Sequence, residues 1–295
     1  MTDKVDLIVL DWDGGEALVS CLQSINAQTV KPSKLIIVDN GSTTPTVQRL
    51  PKNLIEVPYV ILRNETNQGF TGGINRGMSE VKAPFVGWIN NDAALSEKWI
   101  EKLAPVVGGE GKIAGAQSII MLDKQTVDGA GIMIDGGTFR QIGHRQKLTS
   151  LRQVSQPWGI SATAALFRTV ALNDVALHGQ ILRSDFFAYY EDVELCARLR
   201  AKGWRFKIVP EALTMHRGSY SAGRLGLVGF RLRVRNRYFV ARTHKGVGEV
   251  GKLFREDMTL ASRELIGGHF RYVMNRFRGI LDGFKPQRPG VARRG

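Results

Sequence analysis

Several carboxylates and one imidazole in this chain have neighbours that could turn them to chemistry. Asp39 opens Asp39-Asn40-Gly41-Ser42 directly after an apolar run. A carboxylate there can accept from a ribose hydroxyl or a base N–H, and the same four residues make an equally good Asx turn or helix cap. Asp92 closes Asn90-Asn91-Asp92. It offers a divalent cation a hard oxygen ligand and Asn90 a carbonyl, with a turn as the alternative. Asp11-Trp12-Asp13 has the spacing of paired metal carboxylates, but its place after the first apolar run favours base or ribose contact. In Phe186–Glu194 a cluster of aromatic residues runs into Glu191, Asp192 and Glu194. Acids are ordinary in a helix first turn, where the dipole lowers their pKa. The functional alternative is a general base that deprotonates an acceptor hydroxyl. His216 offers a further ligand nitrogen, although a lone histidine is more often structural.

A glycine-rich stretch lies between these groups. Asn67-Gln68-Gly69-Phe70-Thr71-Gly72-Gly73-Ile74-Asn75-Arg76-Gly77 puts glycines at 69, 72, 73 and 77 around a helix start. They permit close approach to a ligand, or tight packing of the helix on a sheet. The spacing is not the dinucleotide fingerprint Gly-x-Gly-x-x-Gly. Arg76 could neutralise a diphosphate.

The elements that must position these residues follow from the apolar pattern. Strands are expected at Val5–Leu10, Lys34–Val38, Tyr59–Leu62, Phe85–Ile89 and Trp204–Val209, the last closed by Pro210. Helices are expected at Glu16–Gln28, Thr71–Val81, Glu97–Val107 with Ser96 as N-cap, and Glu191–Lys202 stopped by Gly203. Trp158–Arg168 reads as a buried strand leading into a helix, and 127–145, with five glycines, as hairpins or loops. Strands alternating with helices imply βαβ units and a mainly parallel sheet, with ligands beyond the carboxyl ends of the strands.

Composition narrows the class. Of 295 residues, 43% are hydrophobic and 23% charged, which excludes a disordered, collagen-like or coiled-coil chain. Two cysteines, Cys21 and Cys196, cannot build a disulfide framework or a zinc cluster. Met1–Lys4 runs into a strand without a signal-peptide pattern, and no apolar run is long enough for a membrane span, so a reducing, cytoplasmic setting is expected. The net charge of +14 is unevenly spread. Residues 1–216 hold 23 Lys/Arg and 22 Asp/Glu, or +1; residues 217–295 hold 18 and 5, or +13.

Taken in order, the motifs resemble family 2 of the inverting glycosyltransferases, of GT-A fold, over about residues 5–220. The likeness rests on Val38-Asp39-Asn40-Gly41-Ser42, Asn67 through Gly77, Asn90-Asn91-Asp92, Tyr190-Glu191-Asp192-Val193-Glu194-Leu195, Ala201-Lys202-Gly203-Trp204 and Pro210 to His216. Within the family it looks most like the bacterial rhamnosyltransferase-type branch that builds cell-surface polysaccharides. The resemblance implies that Asp39 contacts the donor nucleoside, with Asp11, Asp13, Asn67, Gly69, Gly72, Gly73, Asn75, Arg76 and Asn90 around the donor. It implies that Asp92 and His216 hold Mg²⁺ or Mn²⁺ at the diphosphate, and that Asp192 is the catalytic base with Glu191 as its neighbour. Two departures stand out: Asp11-Trp12-Asp13 replaces the frequent Thr-Tyr-Asn, and Asn90 takes the place of a second metal aspartate. A degenerate sugar-nucleotide-binding protein without turnover is the rival they keep open.

The cationic segment, 221–295, is expected to be a basic helical extension of a catalytic domain at 1–220. Arg231, Arg233, Arg235 and Arg237 lie in a segment read as helix. Ile266, Phe270, Val273, Phe277, Ile280, Leu281 and Phe284 form a stripe, with Arg271, Arg276 and Arg278 beside it. Such a face suits an anionic membrane surface, to which Lys285, Arg288, Arg293 and Arg294 add charge, and a lipid-linked or glycan acceptor would be found there. Packing on the catalytic body is the alternative. A basic nucleic-acid-binding protein also fits the charge, but the segment lacks a stacking platform or recognisable binding motif, so no nucleic-acid partner is expected.

Overall fold

The computed structural model describes residues 4–135, 137–151, 156–216, 220–244 and 249–286. Of the positions named above, Met1, Arg288, Arg293 and Arg294 lie outside them, as does Gly136, one of the five glycines of 127–145. The chain runs through β1 (Val5–Asp11), α1 (Gly15–Asn26), β2 (Lys34–Asn40), α2 (Thr46–Arg49), β3 (Tyr59–Asn64), α3 (Gly69–Met78) and β4 (Phe85–Asn90). It continues with β5 (Ala93–Leu95), α4 (Trp99–Gly108), β6 (Ile113–Met121), β7 (Val127–Gly129), β8 (Ile132–Asp135), β9 (Thr138–Gln141), β10 (Ala164–Arg168) and α5 (Thr169–Asp174). The last elements are α6 (Glu191–Ala201), β11 (Arg205–His216), α7 (Tyr220–Thr243), α8 (Val250–Ile266) and α9 (Phe270–Phe284).

The main sheet has the order β3-β2-β1-β4-β10-β6-β11-β5, with β7 paired to β6. β3, β2, β1 and β4 are parallel, as the alternation of strands and helices implies. β10 enters antiparallel between β4 and β6, β11 runs parallel to β6, and β5 closes the edge antiparallel to β11. The sheet is therefore mixed. Central strands are apolar on both faces because helices cover both sides. Ile8, Ile36 and Trp88 share one core with Ile74 of α3, Leu172 of α5 and Leu195 and Leu199 of α6. Leu7, Val9 and Leu35 share the other with Leu18, Leu22 and Ile25 of α1 and Trp99 and Leu103 of α4.

Two local expectations change. Ser96 does not cap a helix starting at Glu97. Its hydroxyl accepts the Leu213 N–H (3.2 Å), and its carbonyl takes the Trp99 N–H where α4 begins (3.0 Å). Pro210 does not close the last strand either. The pairing register with β6 shifts between Val209 and Leu213, so Pro210, Glu211 and Ala212 fall in a bulge and β11 runs on to His216. A bulge removes the ladder bond that proline could not donate. The glycine-rich 127–145 stretch does contain a hairpin, β8–β9.

The three last helices pack together. Gly279 and Gly283 of α9 sit against α7: a Cβ at Gly279 would stand 2.8 Å from the Val234 Cβ, and one at Gly283 would stand 2.7 Å from the Tyr238 Cβ. Arg276 is not on the shoulder of an exposed stripe but buried. Asp257 and Glu264 of α8 ligate its guanidinium at 2.5 Å each, which offsets the cost of removing it from water. Ile280 is buried with it, whereas Ile266, Phe270, Phe277, Leu281 and Phe284 are exposed. Among the described residues no helix is long and apolar enough to cross a membrane.

Candidate active site

A cleft of about 530 Å³ opens over the carboxyl ends of β1, β2 and β4, a size suited to a small-molecule ligand. Its floor includes Leu10, Trp12, Asn40, Asn90, Asn91 and Asp92. Parallel pairing sets Leu10 beside Asn90 and Asp11 beside Asp39, so these strand ends arrive side by side.

On one wall, β11 carries His216 to Asp92. Its Nε2 lies 3.3 Å from an Asp92 carboxylate oxygen, and its Nδ1 lies 2.8 Å from Oδ2 of Asp128 on β7. Burial alone would lower the His216 pKa, but the bonds to Asp128 and Asp92 outweigh it and lift it to about 9. Asp128 is likewise held below its ordinary value, burial being outweighed by His216 and His144. A carboxylate behind an imidazole orients its other nitrogen, as behind metal-bound histidines. The Asp128 side chain lines the cleft and was not singled out from sequence; a lone acid in a glycine-rich stretch carries no spacing signal.

On the other wall, α6 begins with Glu191 and Asp192. The main chain enters through Phe187, Tyr189 and Tyr190, all at positive φ (64°, 71° and 66°). The expected lowering of these acids by the helix N-terminus is not what the surroundings produce. Burial raises Asp192 to about 6 despite N–H bonds from Val193 and Ala162. Burial and the neighbouring Asp192 charge push Glu191 well above the carboxylate range. The pair thus consists of a half-buried Asp192 lining the cleft and a buried Glu191 whose neutral form burial favours. Glu191 Oε2 lacks a hydrogen-bond partner among the described residues.

The other sequence-derived positions divide. Asn67, Gly69 and Asn90 line the cleft with Asp92, Glu191, Asp192 and His216. Gly69 has φ 72°, and a Cβ there would lie 2.3 Å from the Phe187 carbonyl oxygen, so glycine lets α3 and the aromatic segment meet. Gly73 packs on Leu10 and Gly77 on Ile8, and Gly72 only faces Gln68; close helix–sheet packing accounts for the first two. Asn75 ties α3 to the chain at 181–182, accepting the Leu182 N–H (2.9 Å) and donating to its carbonyl (2.7 Å). Arg76 is exposed outside the cleft lining.

Asp39 and Asp11 are buried behind the floor. Asp39 accepts from the Ser42 and Thr46 N–H groups, both at 2.9 Å, and from Arg63. Burial would raise its pKa, but these donors hold it below the usual value. Asp11 accepts from Gly14 N–H, Asn91, Thr46 and Arg49, at 2.9, 2.9, 2.5 and 2.5 Å. Asp13 takes the Thr43 N–H (2.9 Å). These three acids bind the β1, β2 and α2 segments to one another. Besides Asp128, the cleft lining includes Phe187, Tyr189 and Arg233, which no site motif named individually.

A mixed sheet with a polar cleft over its strand ends is the GT-A architecture. The model of "Glycosyl transferase family 2" matches residues 12–175, more than half of the sequence. The chain belongs to that family, and it is a glycosyltransferase. Its similarity extends to the N-acetylglucosaminyl-diphospho-decaprenol L-rhamnosyltransferase of Mycobacterium tuberculosis: 25% identity over 260 residues, covering 76% of this chain and 79% of the relative. In fold it is similar to the mannosyltransferase PcManGT from Pyrobaculum calidifontis, solved with GDP-Man and Mn²⁺. That match has TM-score 0.60 and 11% identity, over 95% of this chain and 75% of the other. It is also similar to GalNAc-T7 solved with UDP, GalNAc and Mn²⁺: TM-score 0.61, 13% identity, 82% of this chain but 48% of that one.

Proposed function

We propose that the chain transfers a sugar from a nucleoside-diphosphate donor to an acceptor hydroxyl, with inversion at the anomeric carbon. The observation that carries this reading is the division of the cleft into two walls. One presents a carboxylate raised to about 6, Asp192, and the other presents Asp92 and His216. A base with a pKa near the working pH takes a proton from an attacking hydroxyl efficiently. Asp192 accepts that proton as the oxygen attacks, and the sugar–phosphate bond breaks on the opposite face. Glu191, whose neutral form burial favours, leaves its unpartnered Oε2 free to hydrogen-bond a bound hydroxyl beside the base.

The leaving diphosphate needs positive charge around it. Among the described residues no cluster of three or more acid, histidine or cysteine side chains could hold a metal. The residues would fit a cation bound with the donor: Asp92 would supply a hard oxygen and His216 its Nε2 once the cation displaces the proton held there. When bound, Mg²⁺ or Mn²⁺ neutralises charge on the departing diphosphate. Asp128 fixes the His216 ring so that Nε2 points to Asp92.

The rhamnosyltransferase relative supports a deoxysugar such as rhamnose as the donor sugar and a lipid-linked diphosphate-sugar acceptor. A membrane-bound acceptor fits the exposed face of α9. Phe270, Phe277, Leu281 and Phe284 stand beside exposed Arg271, Arg278 and Lys285 in the segment that carries +13. We assign this face to the anionic, cytoplasmic surface of a membrane, where apolar burial and lysine or arginine attraction act together.

A thermal-shift screen of nucleotide sugars with Mn²⁺ or Mg²⁺ tests the donor reading. One donor should raise the apparent Tm in a metal-dependent way, because a ligand that binds the native state stabilises it. Metal-dependent release of nucleoside diphosphate from that donor, on adding acceptor, then separates a transferase from a binding protein without turnover. No shift with any donor would overturn the proposal.

A further inference from the structure

The segment that delivers Asp192 is an improbable stretch of backbone. Phe187 (φ 64°, ψ −64°), Tyr189 (φ 71°) and Tyr190 (φ 66°, ψ 1°) are bulky residues in a region that glycine normally occupies. Such a segment persists only where its surroundings over-determine it. Asn236 on α7 supplies that determination. It is fully buried, and its amide nitrogen lies 3.0, 2.9 and 2.7 Å from the carbonyl oxygens of Phe186, Ala188 and Tyr189.

Arg235 completes the clamp. Its Nη2 donates to the carbonyls of Asp185 (2.7 Å) and Phe186 (2.9 Å), and its Nε donates to the Asn236 side-chain oxygen (2.7 Å). The latter bond fixes which way the amide faces. α3 takes the Phe187 carbonyl, with the Thr71 N–H 3.1 Å from its oxygen, and the Glu194 N–H takes that of Tyr190 (3.0 Å). The same face of α7 meets the aromatic side chains. Arg233 lies over the Tyr189 ring at 5.0 Å, and Phe239 packs on Phe186 at 5.1 Å between centroids.

We infer that Asn236, assisted by Arg235, is a positioning residue for the transfer reaction, holding Phe186–Tyr190 so that Asp192 meets the acceptor. The inference rests on Asp192 being the base. It makes α7 a working wall of the active site rather than only part of a basic extension. Displacing a catalytic group by about 1 Å costs on the order of 10²-fold in rate.

The test uses the full chain carrying Asn236→Ala, Asn236→Asp or, as the milder change, Arg235→Ala, with Arg235→Lys as the conservative control. Asn236→Asp keeps the size and loses both donors, so it should behave as the alanine variant does. Two readouts are taken at matched Tm: hydrogen exchange of peptides spanning 186–193, and kcat against the KM of the nucleotide sugar that stabilises the wild type. Exchange should rise in that segment and not in the central strands. The kcat should fall by about 10²-fold with KM within about threefold, and Arg235→Lys should recover part of the Arg235→Ala loss. Wild-type exchange in 186–193, or kcat within threefold in both Asn236 variants, would overturn the inference. If Asn236 variants unfold, Arg235→Ala decides on the same criteria. If the wild type transfers no sugar at all, the parent reading fails, and the exchange data still decide whether the clamp exists.

Discussion

Lowering the pH from about 7 to about 5 should switch this enzyme off through one side chain. Asp192 must be ionised to accept a proton, and burial raises it to about 6. About nine tenths of the molecules then hold the carboxylate at pH 7, and about one tenth at pH 5. With metal saturating, kcat/KM should therefore fall about tenfold over that interval, with a midpoint near 6. Because the folded pKa exceeds the unfolded one, protonating Asp192 favours the native state, so its titration does not itself unfold the chain. Burial and the neighbouring Asp192 charge favour the neutral form of Glu191 as well. Glu191→Gln keeps its shape and neutrality and should leave the midpoint in place. The assay is nucleoside-diphosphate release in constant-ionic-strength buffers, with circular dichroism at each pH. A profile flat from pH 5 to 8, or a midpoint near 4 in the ordinary carboxylate range, would refute this reasoning.

Other perturbations reach separate parts of the structure. Asp128→Asn removes the carboxylate behind His216 and should weaken Mn²⁺ dependence by about 10- to 100-fold, read as the metal concentration giving half-maximal turnover. Gly283→Ala places a methyl 2.7 Å from the Tyr238 Cβ and 2.9 Å from the Arg235 carbonyl oxygen. Forcing α9 from α7 in this way should cost about 1–3 kcal/mol in a urea titration. Phe277→Asp with Leu281→Asp, both on the exposed face of α9, should abolish co-sedimentation with phosphatidylserine vesicles while leaving Tm unchanged. Retained vesicle binding would remove that face from the account.

The parallel half of the sheet was legible because its strands are short apolar runs broken by helix-period segments, and the glycines of α3 showed where two surfaces must touch. Less visible was anything that depends on partners distant in sequence. Pro210 reads locally as a stop, yet a bulge carries β11 past it to His216. The groups that hold Asp39 and Asp11 in place come from loops and helices that only the fold gathers. Asn236 stands in an arginine-rich helix, and its three carbonyl partners lie 47 to 50 positions away. Arg276 was legible as a cation and not as a buried one, because the acids that receive it belong to another helix.

The most direct test of the account compares wild type with Asp192→Asn using the stabilising nucleotide sugar, metal and a lipid-diphosphate-sugar acceptor. Asparagine retains an oxygen for the Val193 N–H, 2.8 Å away, so the fold and donor affinity should stay within about threefold of wild type. Removing the base should lower sugar transfer by about 10²- to 10⁴-fold. Transfer at the wild-type rate by Asp192→Asn would contradict the assignment of the reaction to this cleft wall.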